Sequence, residues 1–391
     1  MLWSQARPGW TATFLFILAC TGSRPANHAP TVIITAGPSW PVLADTVRFS
    51  WQGSDVDGRV IGYFYALDDS SPDSWTESSE VRLASLSYGP HNFYVQAQDD
   101  SFARSLVATW PFVVEFDSTL PAVGTDTTLE LATWNIQNFP KLGDSTVRRV
   151  RSLIRGLDLD IYALQEIEDT LAFIRLLAEL SGYSGLYSSD DYGAYYQKTA
   201  VIYRNDIVTV TDVEQLFWGN DSFPRPPLKM TVTGRHNHGE FEFRLIVLHL
   251  KAGSGSSDRA RRAGACRMLK AYLDSALAQG QEQNWIVVGD WNDLLLDPPD
   301  ENVFQPFLDD TLNYRFLTWT IAGNQYYSSL VSGAGIFDHL LVTRSVLEEY
   351  TGGTTVTLRL DDKLPEYPNV VSDHRPVLAT FPIFETGPER R

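Results

Sequence analysis

Cysteine and positive charge are both scarce in this chain. Only Cys20 and Cys266 occur among 391 residues. A small fold stapled by several disulfides is therefore excluded, and stability has to come from a buried apolar core. The length is ample for one. Lysine and arginine total 31 against 48 aspartates and glutamates, a net charge of -17. That excludes a sequence-independent nucleic-acid coat, which needs basic surface to neutralise phosphates. It leaves room for an enzyme that engages phosphates locally while a bound cation supplies the positive charge.

The apolar run "FLFILA" (Phe14–Ala19) is too short to cross a bilayer. With Arg7 before it, the run reads as the core of a secretory signal peptide. "ILAC" is similar to a bacterial lipobox, whose cysteine becomes the lipidated first residue of the mature protein. Residues 1–19 are then a leader and 20–28 a linker. Cys20 becomes a membrane anchor, placing the protein at the bacterial cell envelope or outside the cell. An ordinary signal peptide cleaved nearby is the competing reading. Cys266 lies in "ARRAGACRMLKAYLDSALAQG", where Ala265, Met268, Leu269, Tyr272, Leu273 and Leu277 recur at helical spacing. It has no evident histidine partner and reads as packing.

Residues 29–117 carry short alternating runs such as "TVRFSW", "VIGYFYAL" and "HNFYVQAQ", separated by the turn signals "SDVDG", "DDSSPDS" and "YGP". Such spacing predicts an all-β sandwich, similar to an immunoglobulin or fibronectin type III module. No chemistry is evident in it. Residues 118–128 form a Pro/Gly-containing linker. From 129 to 384 the pattern changes. Strand-like runs ("LELATWNI", "IYALQEI", "TAVIYR", "FEFRLIVLHL", "WIVVGD", "IFDHLLVT", "RPVLATFPIF") alternate with helical ones ("STVRRVRSLIRGL", "DTLAFIRLLAEL", the Cys266 segment). This predicts α/β layering with two packed sheets flanked by helices. Residues 385–391 are a solvated tail.

Six of these strands carry acids, amides or imidazoles within or at the end of an apolar run. They deliver Asn135, then Gln165 and Glu166, His249 and Lys251, Asp290 and Asn292, Asp338 and His339, and Asp373 and His374. One such residue can simply cap a turn through its own backbone. Six at strand ends point to a common cleft. His339 alternates to the face opposite Asp338 and is set aside.

With "WNIQNF", "LQEIED", "AVIYR", "HLKAG", "GDWND", "FDHLLV" and "SDHRPV" in that order, residues 129–383 resemble the endonuclease/exonuclease/phosphatase superfamily. Secreted deoxyribonucleases, sphingomyelinases and inositol-polyphosphate phosphatases belong to it. The resemblance implies an α/β four-layer sandwich of two stacked mixed sheets, here behind a separate all-β domain. It implies a divalent-metal-dependent phosphodiester hydrolase using Mg²⁺, with Mn²⁺ or Ca²⁺ as alternatives. Glu166 is then the principal metal ligand, with Asp373 and Asn135 close by, because hard cations prefer oxygen ligands. Asp290 and Asn292 orient the attacking water and bond a phosphate oxygen. His374, its ring fixed by Asp338, transfers a proton or stabilises the phosphorane. His249 matches a second catalytic histidine, Arg225 an arginine near the scissile phosphate, and Lys251 contacts phosphate or lies on a solvated rim.

"NIQNF", "RPPL" and "HLKAG" look most like bacterial extracellular nucleases, so a nucleic acid is the expected substrate. A phospholipase C or sphingomyelinase of the same fold is the first alternative, and a non-catalytic surface binding protein the second. No protein partner follows from the sequence. Gln137 stands where apurinic endonucleases carry a metal-holding acid. Gln197 and Lys198 replace a glutamate that supports the first histidine in secreted deoxyribonucleases. A "PAWCDR"-like segment is missing. Arg259, Arg261 and Arg262 read as a solvated helix face rather than a nucleic-acid patch. Tyr192, Tyr195 and Tyr196 read as packing aromatics rather than a stacking platform for a base or sugar.

Overall fold

The computed structural model describes residues 26–38, 42, 46–84, 86, 89–114, 122–189, 197–280 and 283–384. Cys20, the leader, the 385–391 tail and Tyr192, Tyr195 and Tyr196 lie outside the described residues. The chain divides into two compact units, Met1–Val114 and Glu115–Arg391.

The first unit is all β: β1 (Thr31–Ala36), β2 (Val47–Ser54), β3 (Val60–Leu67), β4 (Ser74–Thr76), β5 (Glu80–Leu83), β6 (Gly89–Asp99) and β7 (Ala108–Val114). They form two sheets, β1-β2-β5 and β4-β3-β6-β7. Inward side chains alternate along each strand and meet in one apolar core, where Phe49 stacks on Phe93 at 4.0 Å between centroids and Phe112 meets Phe49 edge-on.

The second unit is built from β8 (Leu129–Phe139), β9 (Ile161–Ile167), β10 (Tyr183–Tyr187), β11 (Lys198–Arg204), β12 (Val208–Gln215), β13 (Leu228–His236), β14 (Gly239–His249), β15 (Trp285–Asp290), β16 (Tyr314–Phe316), β17 (Asp338–Thr343), β18 (Thr355–Thr357) and β19 (Val377–Phe381). Its main helices are α1 (Asp144–Leu157), α2 (Thr170–Ala178) and α3 (Ser256–Gln279). One mixed sheet runs β10-β11-β9-β8-β19-β18 and the other β12-β13-β14-β15-β17-β16.

The inner faces of the two sheets share a core that includes Leu131, Val201, Phe243, Val247, Ile286 and Val377. Trp134, Tyr162 and Leu164 on the outer face of the first sheet pack on α1 and α2 through Val150, Ile154 and Phe173. Ile246 and Leu248 on the outer face of the second pack on α3 through Cys266, Leu269 and Leu273. The result is the expected four-layer sandwich. Its central strands are apolar on both faces because both faces are covered. Among the described residues no helix is long and apolar enough to cross a membrane.

Two features depart from the sequence reading. Strands β12 and β13 escape the apolar pattern, since β12 is an edge strand whose residues are mostly exposed, rich in Thr, Asp and Glu. The β13–β14 hairpin is announced only by its turn, where Asn237 and His238 adopt φ of 44° and 68°. Arg262 is not on a solvated face. It is 3% exposed, donates to Asp293 at 2.8 Å, and also to the carbonyls of Lys251 and Gly253. It clamps the loop after β14 to the loop after β15, both of which carry site residues.

At the opposite end of the first sheet from Asn135, Glu130 and Asp160 are both fully buried, and the Glu130 amide donates to Asp160 Oδ2 at 3.1 Å. Burial, reinforced by the Asp160 charge, pushes the Glu130 carboxyl up to about 9. The folded protein therefore binds more protons than the unfolded chain between the ordinary glutamate range and pH 9. Stability falls as pH rises through that window. Glu130→Gln, neutral throughout, is expected to flatten this slope and to raise Tm at pH 8 by about 2–4 °C per kcal/mol recovered. Thermal unfolding of both proteins from pH 5 to 9 checks it, and parallel Tm–pH curves would contradict the assignment.

Candidate active site

The sequence "WIVVGDWND" resolves into a strand and a sharp exit. Gly289 has φ 148°, and a Cβ there would lie 1.9 Å from the carbonyl oxygen of Leu248, so only glycine fits against β14. The parallel pairing of β14 with β15 sets His249 beside Asp290, and the antiparallel pairing of β15 with β17 sets Asp290 beside Asp338. Three site residues are thus lateral neighbours in one sheet. In the other sheet, the parallel pairing of β8 with β9 places Asn135 beside Gln165, one residue before Glu166.

Asn135 bridges the two sheets. Its amide donates to Glu166 Oε1 at 3.0 Å and to Asp290 Oδ2 at 3.1 Å. The register of β8 against β9 breaks between Asn135 and Phe139, and in that bulge Gln137 and Asn138 take positive φ. The Gln137 amide donates to Asn135 Oδ1 at 2.9 Å, and the Asn138 amide to Glu166 Oε2 at 2.9 Å. Glu166 itself has φ 65° and Asn292 φ 57°. Left-handed backbone at several non-glycine residues costs on the order of 1–3 kcal/mol each and gathers at functional sites.

His374 precedes β19. Its Nδ1 lies 2.8 Å from Asp338 Oδ2, and its Nε2 lies 3.9 Å from Asp290 Oδ2. Beneath it, the buried Trp134 indole donates to the Tyr367 hydroxyl at 2.9 Å, which donates to the His374 carbonyl at 2.6 Å. Ser372 Oγ donates to the Asn135 carbonyl at 2.6 Å and accepts the His374 amide. The loop is held from below. Sequence reasoning missed Ser372 and Tyr367, whose roles appear only when distant segments meet.

Charge is concentrated here. Asp290 is raised to about 7 by burial and by the Asp338 and Glu166 carboxylates, against the pull of His374 and the Asn135 amide. For His374 burial disfavours the cation, but Asp338 and Asp290 outweigh it and lift the imidazole to about 10. His249 lies 3.5 Å from Asp290 and 3.8 Å from Glu166 through Nε2, while burial and the positive charges of Arg225 and His374 hold it well below its ordinary range. One imidazole is kept protonated and the other neutral. His249 Nδ1 has no hydrogen-bond partner among the described residues, consistent with Gln197 and Lys198 in place of a supporting acid. Gln197 instead accepts from Arg225, and its side chain lies against that of Asn138, whose amide nitrogen faces Glu166 Oε2 and Glu168 Oε1 at 3.0 and 2.9 Å.

The remaining expected residues are placed less centrally. The Asn292 amide donates to Asp290 Oδ1 at 2.9 Å, and its side chain donates to the Leu250 carbonyl at 3.2 Å. Lys251 pairs with Asp258 at 3.2 Å and bonds the Ala252 carbonyl. Asp373 is exposed, and its carboxylate has no hydrogen-bond or ion-pair partner among the described residues. His339 is fully buried, bonded to Thr318 and to the Asp293 carbonyl, outside the cleft. Cys266 is buried in the α3 core, where burial and the Asp293 charge push its thiol up, so it is packing.

A comparison with curated proteins returned no match. Among solved structures, the chain is similar to a humanised zebrafish (D. rerio) TDP2 carrying 14 mutations, at 15% identity, covering 65% of this chain and 99% of that one, TM-score 0.48. It is also similar to a mannosyl-6-phosphatase of Bacteroides thetaiotaomicron (17% identity, 64% and 98% covered, TM-score 0.44). The catalytic domain of human nocturnin with bound sulfate is a third (20%, 65% and 94%, TM-score 0.46). The sequence pattern described as the Endonuclease/Exonuclease/phosphatase family matches residues 132–374, more than half of the chain and every strand-end residue described above. The chain belongs to the endonuclease/exonuclease/phosphatase family, whose enzymes are metal-dependent phosphoesterases and nucleases.

Proposed function

We propose that this protein is a secreted nuclease that hydrolyses phosphodiester bonds of DNA or RNA and is tethered to the cell envelope through Cys20. The observation that carries the chemistry is the His374–Asp338 pair at 2.8 Å, facing Asp290 and standing beside Glu166 and Asn135.

The donor set fits a hard divalent cation. Glu166, Asp290 and Asp338 crowd one edge, and Asp290 is raised chiefly by burial, with the Asp338 and Glu166 charges adding to it against His374. Glu166 with the amide oxygen of Asn135 offers oxygen ligands, and Asp373 contributes from the rim. Asp290, Asp338 and His374 also bring one ligand atom each within 4.8 Å of one another. The Nδ1–Oδ2 bond commits Asp338 and His374 to each other, which favours the Glu166 side. A bound Mg²⁺ would polarise the phosphoryl oxygens and offset charge that builds in the transition state.

The chain's own groups supply the rest. Asp290, poised near neutrality, accepts a proton from the attacking water while Asn292 and Arg225 bond phosphate oxygens. The new O–P bond forms as the P–O bond to the leaving oxygen breaks. Protonated His374, its ring fixed by Asp338, presents Nε2–H to the phosphorane and returns the proton to the leaving oxygen. His249, neutral, serves as a hydrogen-bond donor.

Assays on plasmid, single-stranded DNA, RNA, sphingomyelin and bis-p-nitrophenyl phosphate with Mg²⁺, Mn²⁺ or EDTA test this. Nucleic acid should be cleaved, EDTA should abolish turnover, and Glu166→Gln should remove most of it. Full activity in excess EDTA would refute the metal assignment, and cleavage of sphingomyelin alone the nuclease reading.

His374→Ala is expected to lose about 10²–10⁴-fold in kcat. Asp338→Asn should lose less, and the double mutant should be little worse than His374→Ala, because groups acting as one unit are non-additive. Multiplying losses in proteins with native circular dichroism would show that the two act separately. For the anchor, wild type should partition into the detergent phase of an extraction and Cys20→Ser into the aqueous phase. Equal partitioning would remove the lipid.

A further inference from the structure

Beside the catalytic cleft lies a second pocket of about 410 Å³, lined by Gln197, Asn220, Phe223, Arg225, Lys251 and Arg261 among others. Its volume is within the usual range for ligand sites, about 300–1,000 Å³. The sequence reading set Arg261 aside as solvated helix surface; in the structure it comes off α3 into this pocket.

In so acidic a chain most arginines near acids are neutralised. Arg149, Arg151, Arg204, Arg259 and Arg375 are each paired with a carboxylate within 3.0 Å. Arg225 and Arg261 are not. Arg225 donates to the neutral Gln197, Arg261 Nε donates to the Asp221 carbonyl at 2.5 Å, and neither forms an ion pair with a described acid. Burial holds Arg225 below its ordinary range against the pull of Glu166 and Asp290, and the Arg261 charge adds a smaller push in the same direction. Two cations lining one pocket without a carboxylate partner are the arrangement that a phosphate would relieve. The buried Phe223 also lines the pocket. A basic pocket opening beside the cleft suits the backbone of a nucleotide strand.

We propose that this pocket is a second phosphate subsite, in which Arg261 holds the phosphodiester flanking the scissile one on a polynucleotide, while Arg225 lies between that phosphate and the one under attack. The proposal rests on the nuclease reading. Its connection to the cleft is direct, since Arg225 bonds Gln197, whose side chain lies against Asn138, and the Asn138 backbone amide bonds Glu166. A phosphate held by Arg261 would place the next one at Arg225, toward Glu166 and Asp290. Arg261 is here a specificity residue for chain substrates and has no part in bond breaking.

The test compares wild type, Arg261→Ala and Arg261→Lys. One measurement is binding of a labelled single-stranded oligonucleotide of about 12 residues in EDTA, where turnover is suppressed, across a salt series. The other is steady-state hydrolysis of the same oligonucleotide and of bis-p-nitrophenyl phosphate with Mg²⁺. Arg261→Ala should bind the oligonucleotide about 10-fold more weakly. Its slope of log K against log salt should be shallower by about 0.7, the value for one fewer phosphate neutralised on a single strand. KM for the oligonucleotide should rise with kcat unchanged, and bis-p-nitrophenyl phosphate hydrolysis should stay at the wild-type level. Arg261→Lys should recover most of the slope. Equal impairment of both variants would indicate that Arg261 only braces the Asp221 loop, and the subsite would fall. Unchanged oligonucleotide affinity and slope in Arg261→Ala would also overturn the subsite while leaving the nuclease reading intact. A wild type that turns over bis-p-nitrophenyl phosphate but neither binds nor cleaves the oligonucleotide would overturn both. So would binding to anionic phospholipid vesicles in place of oligonucleotide.

Discussion

Carboxylates buried side by side repel one another, and this is the constraint around which the second unit is organised. Asp290 lies between Asp338 and the Glu166–Asn135 pair, out of water, where ionising all three acids together is costly. The structure answers with one protonated imidazole, His374, tied to Asp338, and with the Asn135 amide donating to both Glu166 and Asp290. A site made this way holds a surplus of negative charge at rest. That surplus favours a divalent cation, and a bound cation would in turn admit a phosphoryl group that a chain of net charge -17 otherwise repels.

Holding that edge in place requires rigid support, and the four layers provide it. Asn135 belongs to one sheet and Asp290 to the other, so their 3.1 Å contact exists only while the shared apolar core keeps the sheets in register. Arg262 ties together the loops after β14 and β15, and Tyr367 ties Trp134 to the backbone of His374. The strained backbone at Glu166 and Asn292 is then tolerable, because packed strands on either side hold these turns in place.

Net charge and local charge serve different ends here. A net charge of -17 disfavours coating a polyanion, whereas Arg225 and Arg261 line a defined pocket. A catalyst that must release its product benefits from attraction confined to the working cleft. The first unit has its own aromatic core and is complete as a sandwich without the second.

By itself the sequence determined the layers and the strand ends. Runs apolar on both faces could only be central strands, and Glu166, Asp290, Asp338 and His374 could be read at their ends because polar residues interrupting such runs stand out. It could not mark β12 and β13, whose exposed or mixed faces leave no clear period, nor the burial of Arg262, which looked like any charged helix residue. Tertiary structure alone decided that Asn135 spans two sheets, that His374 is protonated while His249 is neutral, and that Arg261 lines the same pocket as Arg225. Each depends on distances between residues far apart in the chain. Electrostatic energy follows separation and burial, and neither is written in the order of residues.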